Sequence, residues 1–190
     1  MTTLLEQFEE KWKPYLGDTV RWTAFSFIAA DLLAKPNPVI VETGTLRQPG
    51  NFRGDGQSTR LWDWIAKKTG GLAISTDIDL DYCRTAARLC PNVRVNQGDS
   101  VAFLRGYLPA GIDLLYLDAF DYSEGQEISS MMHHAAELAA VWDQLPSGCL
   151  IAIDDCHSAA SGKHALVREI LHFINVHPEV TGYINVWRRP

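Results

Sequence analysis

From residue 39 onward, short apolar runs alternate with stretches that are apolar on one side only. Residues 39–41, 72–76, 93–95, 114–117, 149–153 and 183–187 read as six strands. Between them, residues 58–68, 81–89, 101–107, 128–145 and 163–176 show helical spacing. Gly70-Gly71 and Pro91 supply helix stops. Strands that are apolar throughout are buried on both faces, and strands separated by helices run parallel. The pattern therefore predicts an α/β fold with a doubly wound, mostly parallel sheet and helices on both faces. Ahead of it, residues 1–35 read as helical. Leu4, Leu5, Phe8 and Trp12 recur at helical spacing, Pro14 and Gly17 interrupt the run, and residues 23–34 form a second helix that stops at Pro36-Asn37-Pro38. This divides the chain into a helical cap over 1–35 and a sheet domain over 36–190.

Composition narrows the function classes. A net charge of −6 gives no general attraction to nucleic acid or to an anionic membrane surface. No apolar run reaches the roughly 20 residues that span a bilayer. The first ten residues are acidic and lack the apolar centre of a secretory signal, so the expected compartment is the cytoplasm. Cys83, Cys90, Cys149 and Cys156 form no CxxC pair and no zinc spacing, which suits reduced thiols.

In sheets of this kind ligands bind beyond the carboxyl ends of the strands, near the switch in strand order. Glu42-Thr43-Gly44-Thr45 closes the first strand, and Gly54-Asp55-Gly56-Gln57-Ser58-Thr59 leads into the next helix. A glycine there permits a tight turn and close approach of a ligand. The helix opening at Ser58 is either a capped turn or a place for a carboxylate or phosphate. No GxGxxG and no GK[ST] is present, so neither a dinucleotide fingerprint nor a P-loop is indicated. Asp77-Ile78-Asp79 follows the second strand, where a carboxylate can accept both vicinal hydroxyls of a ribose; the alternative is an acid complementing a helix dipole, which suits Asp79 better. Gly98-Asp99-Ser100 follows the third strand, placed for an adenine amino group or for an N-cap. Asp118-Ala119-Phe120-Asp121 follows the fourth strand and Asp154-Asp155-Cys156-His157 the fifth. Adjacent strands would bring Asp118, Asp154 and Asp155 together, and three such carboxylates repel one another unless a cation lies among them or one stays protonated. An all-oxygen cluster suits Mg²⁺ or Ca²⁺.

These motifs together resemble the class I S-adenosylmethionine-dependent methyltransferases, which have a Rossmann-like sheet, over most of the chain. Leu117-Asp118-Ala119-Phe120-Asp121-Tyr122, a long helix, Leu145-Pro146-Ser147-Gly148-Cys149 and Ile153-Asp154-Asp155 are similar to the metal-dependent small-molecule O-methyltransferases of the catechol and macrocin types. The resemblance implies S-adenosylmethionine as cofactor. Glu42, Thr43 and Gly44 would lie near its methionine part, and Ser58 would hold its carboxylate. Asp77 and Ile78 would lie at the ribose, and Gly98, Asp99 and Ser100 would border the adenine. Asp118 would border the cofactor and, with Asp154 and Asp155, bind the metal. Three departures stand out. The segment 45–56, with Arg47, Arg53 and Asp55, is longer than the usual first-motif loop and suits a lid, a substrate contact or an insertion. Asp121 stands where the catechol type has a lysine base. Only one late strand is evident where the family closes its sheet with a reversed hairpin.

The implied chemistry is methyl transfer to a small molecule with adjacent hydroxyls gripped by the metal, with Asp121 as first choice of general base and His157 as second. His133 and His134 read as ordinary packing or surface residues. Trp12, Trp22 and Phe25 lie in helices that often cover the acceptor pocket in this family; Trp62 and Trp142 read as core. An exposed last strand would suit a homodimer. Two rivals stay open: a nucleotide- or nicotinamide-dependent enzyme on a related sheet, and a non-catalytic module that keeps the cofactor pocket.

Overall fold

The structure is a computed structural model that describes residues 2–106, 109–158 and 161–190. The expected helix end at Tyr107 lies outside the described residues. Among the described residues the strands are β1 (Val39–Thr43), β2 (Leu72–Asp77), β3 (Val93–Gln97), β4 (Leu114–Leu117), β5 (Leu150–Ile153), β6 (Pro178–Val180) and β7 (Asn185–Arg188). The helices are α1 (Leu4–Leu16), α2 (Trp22–Leu33), α3 (Ser58–Thr69), α4 (Leu80–Leu89), α5 (Ser100–Gly106), α6 (Glu127–Val141) and α7 (Ala165–Phe173). No helix among the described residues is long and apolar enough to cross a membrane.

The seven strands make one sheet in the order β3-β2-β1-β4-β5-β7-β6. Strands β1 to β5 pair in parallel, whereas β7 runs antiparallel to both β5 and β6. The order reverses between β1 and β4, which is where such sheets open a crevice. Register aligns Thr43 with Thr76 and with Leu117, and Leu117 with Ile153. The residues after these strands therefore share one edge.

Alternation along the central strands sorts two cores. Ile40, Leu114, Tyr116, Leu150 and Ala152 face a layer built by Phe8 and Trp12 of α1, Phe25 and Ile28 of α2, and Leu61 and Trp62 of α3. Val41, Leu115, Leu117, Ile151 and Ile153 face Leu138 of α6 and Val167 and Leu171 of α7. The four cysteines are buried and free.

The closing hairpin, legible in the sequence only as its second strand, is present. β6 is three residues long with Pro178 at its start and Glu179 at its centre. Proline and charge on a short strand mark an edge that resists further pairing, and they also make it read as a turn. β7 lies inside the sheet, so the exposed edge belongs to β6 and not to the last strand. Pro14 sits in the last turn of α1 and does not break it, because the helix ends at the next glycine, where Gly17 N–H bonds the Lys13 carbonyl at 2.8 Å. Gly70 closes α3 at φ 72°, the left-handed C-cap expected of that position.

Phe25, in a helix that could cover an acceptor pocket, is instead core, and Trp12, which could equally be pocket cover or core, is core too. Phe25 is fully buried and packs 6.2 Å from the Tyr116 ring and 6.0 Å from Trp62. Trp142 lies in a short 3₁₀ turn, half-buried beneath the Arg189 guanidinium. Replacing Phe25 by Ala should lower stability by about 3–5 kcal/mol, the usual range for a buried phenylalanine. Urea unfolding should show a lower midpoint at unchanged slope.

Candidate functional site

Glu42 is the fourth residue of β1, and its carboxylate points into the core among donors. Ser58 Oγ (2.7 Å) and Trp62 Nε1 (2.8 Å) donate to one oxygen, Thr59 Oγ1 (2.7 Å) and Ser75 Oγ (2.7 Å) to the other. Burial pushes its pKa up to about 7 against the pull of those four donors. The Ser58 hydroxyl is thus engaged with Glu42, and α3 opens without a side-chain cap behind Gln57, which stands at φ 61°. Gly44 follows at φ 78°. A Cβ there would come within 2.5 Å of the Asp118 carbonyl oxygen, so only glycine lets β1 pass this close to the end of β4. Thr43, fully buried, receives the Asp118 N–H on its backbone carbonyl at 2.9 Å.

Beside this seam lies a hollow of about 270 Å³, lined by Thr76, Asp77, Ile78, Gly98, Asp99, Ser100, Ala119, Phe120 and His133. Asp77 stands at its rim with each carboxylate oxygen held once: Thr45 N–H donates to Oδ2 at 3.1 Å and Asp79 N–H to Oδ1 at 2.9 Å. One lone pair on each oxygen stays open, the arrangement a vicinal diol needs. Partial burial raises the Asp77 pKa. Thr76 Oγ1 is buried at the hollow without a hydrogen-bond partner, and a Cβ on Gly98 would meet open space. Asp99 caps α5 through Ala102 N–H at 2.8 Å, which fulfils the N-cap alternative with one oxygen only. Ile78 is largely exposed at the rim. The donor set and the unpartnered hydroxyl fit an adenosine group.

At the ends of β4 and β5 the three expected acids do come together, and the cations among them belong to the chain. Arg21, which precedes α2, places Nε 2.8 Å from Asp154 Oδ2 and Nη2 3.1 Å from Asp155 Oδ1. Lys163, ahead of α7, places Nζ on Asp118 and 2.9 Å from Asp155 Oδ2. Asp154 also accepts the Tyr116 hydroxyl at 2.9 Å and the Asp155 N–H at 2.7 Å. Burial works to raise the Asp155 pKa, but Lys163, Tyr183 and Arg21 outweigh it and hold it at about 2. Burial and the two neighbouring acids push Asp118 up, against Lys163. A divalent ion takes about six oxygen ligands, of which waters can supply several, but the carboxylates that hold it must keep lone pairs free. The trio offers no such set, and among the described residues no group of three or more His, Cys, Asp or Glu side chains forms one.

Comparison of the whole fold with solved structures returns methyltransferases. The calicheamicin methyltransferase CalS11 superposes with a TM-score of 0.63 at 14% identity, covering 87% of this chain and 77% of that one. MycE of the mycinamycin biosynthetic pathway, in complex with Mg and SAH, gives 0.64 at 16% identity over 100% of this chain and 55% of that one. The O-methyltransferase NovP gives 0.61 at 16% identity, covering 89% and 79%. The chain has the class I methyltransferase fold. No protein-family profile matches the sequence, and no curated protein matches it.

Within the methyltransferase fold, the long first-motif segment is built by its own polar contacts. Gln57 bonds the Gln48 carbonyl (2.8 Å), Asp55 (2.7 Å) and the Gly50 N–H (3.0 Å). Arg47 reaches Asp55 at 3.3 Å and grips both oxygens of Asp121 at 2.9 Å. Asp121, expected as a base, is therefore an exposed ion-pair partner of this segment. His157 is exposed between the Tyr122 and Tyr183 rings, 5.3 and 5.5 Å away. It borders a second hollow of about 560 Å³ with Val20, Arg168 and Tyr183.

Three site residues escaped the sequence. Arg21 and Lys163 lie outside the strand ends where ligands were sought, and only contact across 133 and 45 residues reveals them. His133, read as packing, lines the first hollow; its Nε2 lies 2.9 Å from Ser100 Oγ and 3.3 Å from the buried Glu137, which raises its pKa. Its neighbour His134 is buried, and burial lowers its pKa to about 4. Helical spacing of four between His133 and Glu137 was the available signal.

Because the folded pKa of Glu42 lies above its unfolded value of 4.5, protonation favours the folded state. Its contribution is fully present below pH 4.5 and lost as pH rises through about 7. Stability of the wild type relative to Glu42→Gln should fall across that window by about 3 kcal/mol, read from urea midpoints at several pH values. A flat difference would place the Glu42 pKa at its ordinary value.

Proposed function

We propose that this chain transfers a methyl group from S-adenosylmethionine to an oxygen of a small-molecule acceptor. The observation that carries the reading is Asp77, held by two backbone N–H groups at the rim of a hollow beside the sheet's switch point. The methyltransferase fold supports it, as do the small-molecule methyltransferases among its structural neighbours.

When bound, the cofactor supplies an activated methyl on a sulfonium, so the protein has to align the acceptor and relieve it of a proton. Asp77 accepts the ribose hydroxyls. Ile78, Gly98, Asp99 and Ser100 enclose the adenine, with Phe120 and His133 completing its walls. Glu42, Thr43, Gly44 and Ser58 shape the methionine end, with Glu42 holding the hydroxyls of α3 in place. Asp118, at the end of β4 against Gly44, borders the cofactor. The acceptor occupies the side of His157, Arg168 and Tyr183. His157 takes the acceptor proton, since Asp121 is held by Arg47.

Calorimetric titration with S-adenosylhomocysteine should give micromolar binding. Asp77→Ala should weaken it about 100-fold, as expected for loss of two hydrogen bonds to a charged group. Heat flow absent from the folded wild-type protein would sink the reading.

A further inference from the structure

We propose that Arg21 and Lys163 permanently occupy the place of a divalent cation, so that Asp118, Asp154 and Asp155 form an internal ion network and bind no metal. The inference concerns the cluster itself and holds whether or not the chain transfers a methyl group.

Lone pairs make the first argument. Asp154 Oδ1 accepts Arg21 Nε at 3.0 Å and the Asp155 N–H at 2.7 Å, while Oδ2 accepts Arg21 Nε at 2.8 Å and the Tyr116 hydroxyl at 2.9 Å. The single Nε hydrogen of Arg21 is shared between the two oxygens, so three donor hydrogens engage the roughly four acceptor sites of the Asp154 carboxylate. Asp155 is divided between the two cations, one oxygen to each. Asp118 has one oxygen on Lys163. Coordination of Mg²⁺ would have to strip these donors away.

Charge makes the second. Three acids and two cations leave the network at −1 with every acid ionised and neutral when Asp118 keeps its proton, and a divalent ion would enter a group already holding two positive charges. To make room, Lys163 would have to leave both of its acids. Its side chain has no exposed surface, and a buried ammonium without partners is strongly unfavourable.

Local backbone makes the third. Asp155 stands at φ 51° and Gly162 at φ 120°. A Cβ on Gly162 would lie 2.5 Å from the Asp155 carbonyl oxygen and 2.7 Å from the His157 nitrogen. Lys163 N–H returns to the Asp155 carbonyl at 3.2 Å. This tight return aims Lys163 inward, and the unusual φ of Asp155 is held by contacts on both carboxylate oxygens. On the other side the Arg21 guanidinium lies 4.5 Å from the Tyr183 ring centroid, and its Nη1 donates to the Arg53 carbonyl at 3.1 Å. Arg21 is therefore fixed by groups outside the acid trio, and Lys163 by the tight backbone return onto Asp155.

Two measurements on the full chain test this. After dialysis against EDTA, a Mn²⁺ titration followed by the electron paramagnetic resonance of free Mn²⁺ should show no site tighter than about 1 mM. Micromolar binding that disappears in Asp118→Asn would overturn the proposal; binding that survives Asp118→Asn lies elsewhere and leaves it standing. Independently, reductive methylation read by mass spectrometry should modify Lys163 at least about tenfold more slowly than the exposed Lys11 and Lys67, as for a group reached only by local opening. Added Mg²⁺ should leave that ratio unchanged, and faster Lys163 labelling with Mg²⁺ would show that the ion displaces it.

Discussion

The buried charge balance at the ends of β4 and β5 is the constraint on which the rest of the site depends. Asp154 and Asp155 cannot sit side by side in a dry place without opposite charge nearby. Arg21 reaches them from ahead of α2, Lys163 from ahead of α7, and Tyr116 from within β4. One group of five charges thus ties the N-terminal helices to the centre of the sheet and to the segment after β5. Such a network adds little net stability over a well-packed apolar core, but losing one partner strands the others, at about 3–5 kcal/mol. Its value is positional: it sets where α2, β4 and the turn at Asp155 stand relative to each other.

A second buried acid performs the same service on the other side of the switch point without any cation. Glu42 draws four donors from α3 and β2 onto β1, so the helix start is tied to the sheet by neutral groups. The two solutions differ in consequence. Neutral donors leave Glu42 close to its titration point at about pH 7, whereas fixed cations hold Asp155 ionised far below that. The Glu42 side of the site is therefore pinned by hydrogen bonds whose strength varies with pH, and Asp155 by ion pairs that persist far below neutrality.

Periodicity made the fold legible because β1, β2, β4 and β5 are buried on both faces and the helices between strands are apolar on one side only. Val39, Leu72, Val93, Leu114 and Leu150 each lie at or within one residue of a strand start read from pattern alone. β6 was not legible, because an edge strand of three residues built on Pro178 and Glu179 has no apolar signal to show. The rule that ligands gather beyond strand ends located Asp77, Asp99, Asp118, Asp154 and Asp155, and the structure gathers them along one edge. It could say nothing of Arg21 or Lys163, whose roles arise from long-range packing. The sequence also posed the physical question about the acid trio, that a cation must lie among them or one acid keep its proton, but a chain read in one dimension cannot show that its own side chains supply the cations.

The seam between the two halves of the site is Gly44. Its lack of a side chain lets the end of β1 press against the carbonyl of Asp118, the first residue after β4. The backbone N–H of Asp118 is fixed by the Thr43 carbonyl, while its side chain, a fifth exposed, is held by the fully buried Lys163. Held at both ends, Asp118 has little freedom to swing between a ligand beside it and the charges beneath it. The direction of the Asp118 side chain is thus set in advance by packing. Preorganisation of that kind is what a reaction limited by alignment requires of its protein.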